Sequence, residues 1–111
     1  MTVALDRQLG EILAAAAIAT GFPVEALLRQ CREKPLVIAR QATILAMREA
    51  TDASLPAIGR VMQRGHPAIH TALRRAQARR ELHPDFRALT ERLRAFGGSR
   101  MTDPQAAQVS A

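Results

Sequence analysis

The sequence predicts an all-α fold of five to six helices, on three observations. Apolar residues recur at helical spacing along most of the chain, up to Phe96. Prolines fall where helices would begin, and Gly21 and Gly97-Gly98 fall where helices would end. No run shows the apolar-polar alternation of a half-buried strand, and there is no internal repeat.

The first helix is predicted over 3–20, with Leu13 and the run Ala14 to Ala17 as strong helix formers. Gly21 stops it and Pro23 opens a second helix over about 23–30, with Val24, Leu27 and Leu28 as its apolar face. Cys31 to Pro35 reads as a basic loop. Pro35 then begins a long helix to about Thr51, whose apolar positions Val37, Ile38, Ile44, Leu45 and Met47 are interrupted by Arg40, Gln41 and Arg48. Ser54 is placed as the N-cap of a short helix over 55–62, with Pro56 harmless in its first turn. Gln63-Arg64-Gly65 reads as a three-residue turn with Gly65 available for positive φ. A helix over 67–82 follows. A last one starts near Pro84, runs through Phe86, Leu89, Leu93 and Phe96, and ends at Gly97-Gly98. The boundaries expected are one domain over 1–98 and a disordered tail over 99–111.

A chain of 111 residues is long enough for one core and too short for a large catalytic fold. With 48% hydrophobic and 23% charged residues, its composition is that of a globular protein. Cys31 is the one cysteine, which excludes a disulfide framework or a Cys-based zinc site within one chain and suits a reducing cytosol. The most apolar run, Ile12 to Thr20, falls far short of the ~20 residues that span a bilayer, and Asp6 and Glu11 stand where a secretory signal would carry positive charge. A cytoplasmic protein is therefore expected.

Charge gives the first functional indication. The net charge is +6 and the isoelectric point is near 11.4, which points to a polyanionic partner, nucleic acid or an anionic membrane. Lys34 is the sole lysine; every other basic residue is arginine, the side chain suited to bidentate phosphate and base contacts. The absence of Trp and Tyr leaves few stacking platforms for single strands or RNA. The segment Arg29–Arg80 holds eleven basic and three acidic residues, whereas the remainder holds five basic and seven acidic. A basic middle between near-neutral flanks reads as a binding face, with a solvated arginine surface as the bland alternative.

Within that segment, 54–82 has the layout of a helix-turn-helix: a short helix, a turn containing glycine and a longer basic helix. Leu55, Ile58, Val61 or Met62, Ile69 and Leu73 can lock the two helices together. Arg64 and His66 then stand at the N-terminus of the second helix, the end that enters a major groove in this motif. Arg74, Arg75, Arg79 and Arg80 follow down the same helix and can reach phosphates.

Three ordered segments complete the pattern: Val37-Ile38-Ala39-Arg40-Gln41-Ala42, Ala46-Met47-Arg48-Glu49-Ala50-Thr51 and Ser54-Leu55-Pro56-Ala57-Ile58-Gly59. Together they resemble the C-terminal DNA-binding domain (domain IV, TrpR-like) of the bacterial replication initiator DnaA, over roughly residues 10–97. The resemblance implies roles at the matching positions. Arg40 and Gln41 hold the DNA backbone, and Arg48 has a similar phosphate role. Arg32, in the basic loop beside Lys34, enters the minor groove. His66 reads a base edge, with Arg64 just before it, and Pro67, Thr71, Arg74 and Arg75 complete the expected DNA-binding set.

The departures from the family pattern concern base reading. The loop lacks one residue and has Gln63 where glycines are usual. Gly65 replaces the Asp before the histidine, Pro67 and Ala68 replace two threonines, and Thr71 replaces a further histidine although His70 is adjacent. Phosphate contacts position a protein and base contacts specify its site. The expectation is thus duplex binding with weakened or altered sequence preference, uniform weakening in Arg40→Ala and flattened preference in His66→Ala. The initiator's ATPase domain is missing from these residues, which contain no phosphate-cradling Gly-rich loop. The chain reads as a stand-alone DnaA-like domain or a fragment of a longer protein, with Met1 and the early first helix favouring the former. Similar small proteins occur in alphaproteobacteria, where some modulate replication initiation and others, with a sigma-factor-like module, activate gene transfer agent genes.

The competing expectation is a protein-interaction module that kept the DnaA-like fold and binds the replication machinery, or RNA polymerase with a sigma-like partner. The Ala-rich first helix reads as core, with a partner surface as its alternative. No enzymatic activity, cofactor, metal or small-molecule substrate is expected. His70 and His83 are too far apart and too poorly supported by acids for a metal site, Cys31 has no neighbouring His or catalytic acid in sequence, and Ser54 is a cap, not a nucleophile.

Overall fold

The computed structural model describes residues 2–96. The expected stop at Gly97-Gly98 and the expected tail over 99–111 lie outside the described residues. The chain forms α1 (Thr2–Thr20), α2 (Val24–Leu28), α3 (Lys34–Ala50), α4 (Leu55–Met62), α5 (His66–Leu82) and α6 (residues 84–96). The described residues contain no strand, as expected for an all-α helix-turn-helix fold of the DnaA domain IV kind.

Local chemistry explains the boundaries. Lys34-Pro35, Leu55-Pro56 and His66-Pro67 each put proline in the first turn of a helix, where its missing N–H leaves no helical hydrogen bond unmade. Ser54 Oγ accepts from the N–H of Ala57 at 3.2 Å, the capping bond expected of it. Gly21 ends α1 at φ 81°. Helix α2 stops at Leu28, earlier than its apolar face implied. Arg29 turns to extended backbone (φ −68°, ψ 150°), and the carbonyls of Leu27, Leu28 and Arg29 are taken by arginine side chains from α3 and the α4–α5 turn.

The core is built around α3, which is buried from Ala39 to Met47. Leu9, Ile12 and Ala16 of α1, Leu27 of α2, Ile58 and Met62 of α4, and Ile69 and Ala76 of α5 are fully buried around it. Phe86 and Leu93 of α6 close the remaining side. The Ala-rich stretch of α1 is core in part: Ala15 and Ala16 are buried, while Ala14 and Ile18 face solvent.

Helices α4 and α5 form the helix-turn-helix. Ile58, Met62, Ile69 and Leu73 lock them as expected, and Met62 rather than Val61 takes the buried place. The turn differs from its sequence reading in one respect. Gln63, not Gly65, adopts the left-handed conformation (φ 59°, ψ 44°), while Gly65 is extended (φ −73°) and stands as the N-cap of α5. The glycine that the turn requires is Gly59, inside α4. A Cβ there would lie 2.5 Å from the Arg64 carbonyl oxygen. That close approach lets Arg64 N–H donate to the Gly59 carbonyl at 2.8 Å.

Candidate nucleic-acid interface

The loop 29–33, α3 and α5 enclose a groove of about 740 Å³. Arg32, Arg40, Arg64 and Arg75 line it, along with Gln41 and Thr71, and no carboxylate does. These residues come from three separate stretches of sequence.

The two inner guanidiniums are held by the backbone. Arg40, 6% exposed, donates Nε to the Leu27 carbonyl (2.7 Å), Nη1 to Cys31 (2.7 Å) and Nη2 to Arg29 (2.8 Å). Arg64 donates Nη1 to Met62 (2.9 Å) and Leu28 (3.3 Å), and Nη2 to Arg29 (2.8 Å). The Arg29 carbonyl thus accepts from both. Burial, and secondarily the charge of Arg40, push the pKa of Arg64 below its ordinary value. Both side chains are guanidiniums and no carboxylate lines the groove, so it carries positive charge that an anion would relieve.

The resemblance implies that Arg40 holds the DNA backbone. Its geometry is that of a clamp, with three of its five N–H donors on carbonyls at the end of α2 and in the loop that follows. Gln41 is likewise buried, 5% exposed, and its Oε1 accepts from Arg79 Nε at 3.0 Å. Arg48 stands outside the groove. It is exposed, and its Nη1 donates to the Ala53 carbonyl (2.9 Å), bracing the α3–α4 loop. Arg32 and Lys34 are exposed on the loop and the first turn of α3.

On α5 the buried residues Ile69, Leu73 and Ala76 face the core. The 3.6-residue period then leaves two exposed rows. Thr71 and Arg75 border the groove, His66, His70 and Arg74 lie along the other flank, and Pro67 is exposed in the first turn of the helix outside the groove lining. Two residues expected to reach phosphates are engaged elsewhere. Arg79 lies between Gln41 and the ring of Phe86, 5.9 Å from the ring centroid. Arg80 pairs with Glu49 at 2.7 Å, a bond that raises its pKa above the ordinary value, and Arg94 shares the same carboxylate at 3.4 Å. Sequence reading missed Gln30 and Cys31 on the groove rim, and Ala68 and Ala72 on its α5 side. Small residues at i and i+4 leave the room that makes the groove concave. In the sequence they signal only helix propensity.

A family model described as the bacterial DnaA protein helix-turn-helix matches residues 9–76. The chain belongs to that family. No solved structure matches it. The DnaA match spans α1 to the middle of α5 and so contains all four groove arginines. The helix-turn-helix of DnaA is a DNA-binding element, and double-stranded DNA is the partner it takes. The match stops before Arg79, Arg80 and α6. Among the described residues, no helix is long and apolar enough to cross a membrane.

Proposed function

We propose that this DnaA-like domain is a duplex-binding regulator in which α5 enters the major groove and Arg32 reaches the adjacent minor groove. The phosphate strand between the two grooves then lies along the arginine-lined groove of the protein. The observation that carries this reading is the convergence of Arg32, Arg40, Arg64 and Arg75, with no acid among them, between the helix-turn-helix and the loop 29–33. His66, His70 and Arg74 are the side chains exposed toward base edges. With Gly65, Pro67 and Ala68 at positions that carry polar base readers in the family, sequence preference is weak or altered. The proposed setting is the nucleoid, in transcription, including activation of gene transfer agent genes, or in control of replication initiation.

Selection from random duplexes at near-physiological salt, followed by salt titration, tests the proposal. Contact with about four phosphates gives a log–log slope of roughly −3 to −4. His66→Ala flattens any preference among duplexes at a cost of ~1–3 kcal/mol on the best site. Binding without salt dependence, or none at all, refutes the proposal. A second reading, binding of a protein partner, draws on the apolar strip of Ala14, Ile18 (84% exposed) and half-exposed Phe96 along α1 and α6. Absence of duplex binding shifts the weight to it.

A further inference from the structure

Arg79 does not line the groove, yet it governs a side chain that does. A guanidinium has donors only, so the amide atom that meets Arg79 Nε at 3.0 Å is the oxygen of Gln41. The opposite end of the amide, Nε2, therefore points away from Arg79. It donates to no group among the described residues. Because no sealed side-chain nitrogen or oxygen among those residues lacks a partner, Nε2 is not sealed off, and Gln41 borders the groove. Gln41 is otherwise 5% exposed, which leaves the groove as its outlet.

We infer that Arg79 is a positioning residue that turns the donor end of the Gln41 amide toward the groove, where it meets a phosphate oxygen of the duplex. This inference rests on the duplex-binding reading proposed above. The two ends of an amide are nearly identical in shape and opposite in hydrogen-bonding sense. Without Arg79 the amide is free to rotate and set Oε1, an acceptor, against an anion. The buried ring of Phe86 in α6 backs the guanidinium and limits where it can swing. Arg79 and Phe86 both lie beyond residue 76, where the family match ends, so the orienting half of the device lies outside the matched stretch and Gln41 within it.

A double-mutant cycle on the full chain tests this, with duplex affinity and thermal unfolding measured for wild type, Gln41→Leu, Arg79→Met and the double variant. Gln41→Leu is expected to weaken duplex binding about tenfold, the effect of one hydrogen bond to a charged group. Arg79→Met alone is expected to weaken it severalfold, and in the Gln41→Leu background to add less than twofold. Arg79→Gln, which is neutral but keeps an N–H donor, is expected to restore most of the affinity lost in Arg79→Met. Multiplicative losses in the double variant would mean that Arg79 meets the duplex by itself, and would overturn the inference. So would full affinity in Arg79→Met. The side-chain amide resonances of Gln41 in 15N-labelled protein read the same coupling without DNA: a shift and line broadening in Arg79→Met but not in Arg79→Gln supports the relay, and unchanged resonances refute it. If wild type binds no duplex, the functional reading fails while the amide resonances still decide whether Arg79 orients Gln41.

Discussion

Replacing Arg40 by alanine separates a clamp from a phosphate contact. In the structure its guanidinium holds three carbonyls at and just after the end of α2, of which that of Arg29 also accepts from Arg64 and from the N–H of Cys31. The bond to Leu27 is buried, and its loss strands an acceptor at a cost of ~1–3 kcal/mol. The bonds to the carbonyls of Arg29 and Cys31 are only partly buried, so water re-solvates these groups at a net ~0.5–1 kcal/mol each. Relief of the repulsion with Arg64 offsets a little of this. The expected destabilisation is about 3 kcal/mol, or a fall in Tm of roughly 12–24 °C for a domain of this size. Helical circular dichroism during urea and thermal unfolding measures it. Arg40→Lys keeps the charge but cannot span three carbonyls, and is expected to recover less than half of the loss. A destabilisation below about 1 kcal/mol together with a tenfold loss of duplex affinity would refute the clamp and make Arg40 a phosphate contact, as the resemblance implies.

Two further substitutions probe the helix-turn-helix. Gly59→Ala puts a methyl group 2.5 Å from the Arg64 carbonyl, which has to retreat by about 1 Å to reach ordinary contact. Overpacking of ~1–3 kcal/mol outweighs the ~1 kcal/mol that alanine gains in a helix, so a net loss of stability and weaker duplex binding are expected; a neutral or stabilised variant contradicts the close approach. Gln63→Gly relieves the left-handed backbone at φ 59° and is expected to raise stability by ~0.5–1 kcal/mol in urea titrations, whereas a loss would place the strain elsewhere.

The helices were legible because their signals are local. Proline in the first turn, Ser54 as a cap, Gly21 as a stop and apolar residues at helical spacing each act within a few residues of where they stand. The resemblance to DnaA rested on contiguous motifs and the family match agrees with it. What the sequence left hidden involves partners far apart in the chain. Arg40 and Gln41 read as interruptions of an apolar helix, yet both are buried because Leu27, Arg29, Cys31 and Arg79 satisfy them. Arg79 and Arg80 continue the basic run of α5, and only their partners on α3 show that they turn inward. The left-handed residue was misplaced for a related reason. Gly65 was the one turn residue suited by its own chemistry, while the actual geometry follows from how tightly Arg64 packs on Gly59, one turn back in α4.

One peptide oxygen, that of Arg29, accepts from both Arg40 and Arg64. It ties the loop bearing Arg32 to the turn from which α5 springs, so the span between those two elements behaves like a fixed gauge. A duplex that meets both has to match that span in its own groove width and twist. Sequences that narrow or bend easily at the right place then fit at lower cost than stiff ones, even where no side chain touches a base. Selectivity in such a domain can reside in the stiffness of the protein as much as in the identity of its outward-facing residues.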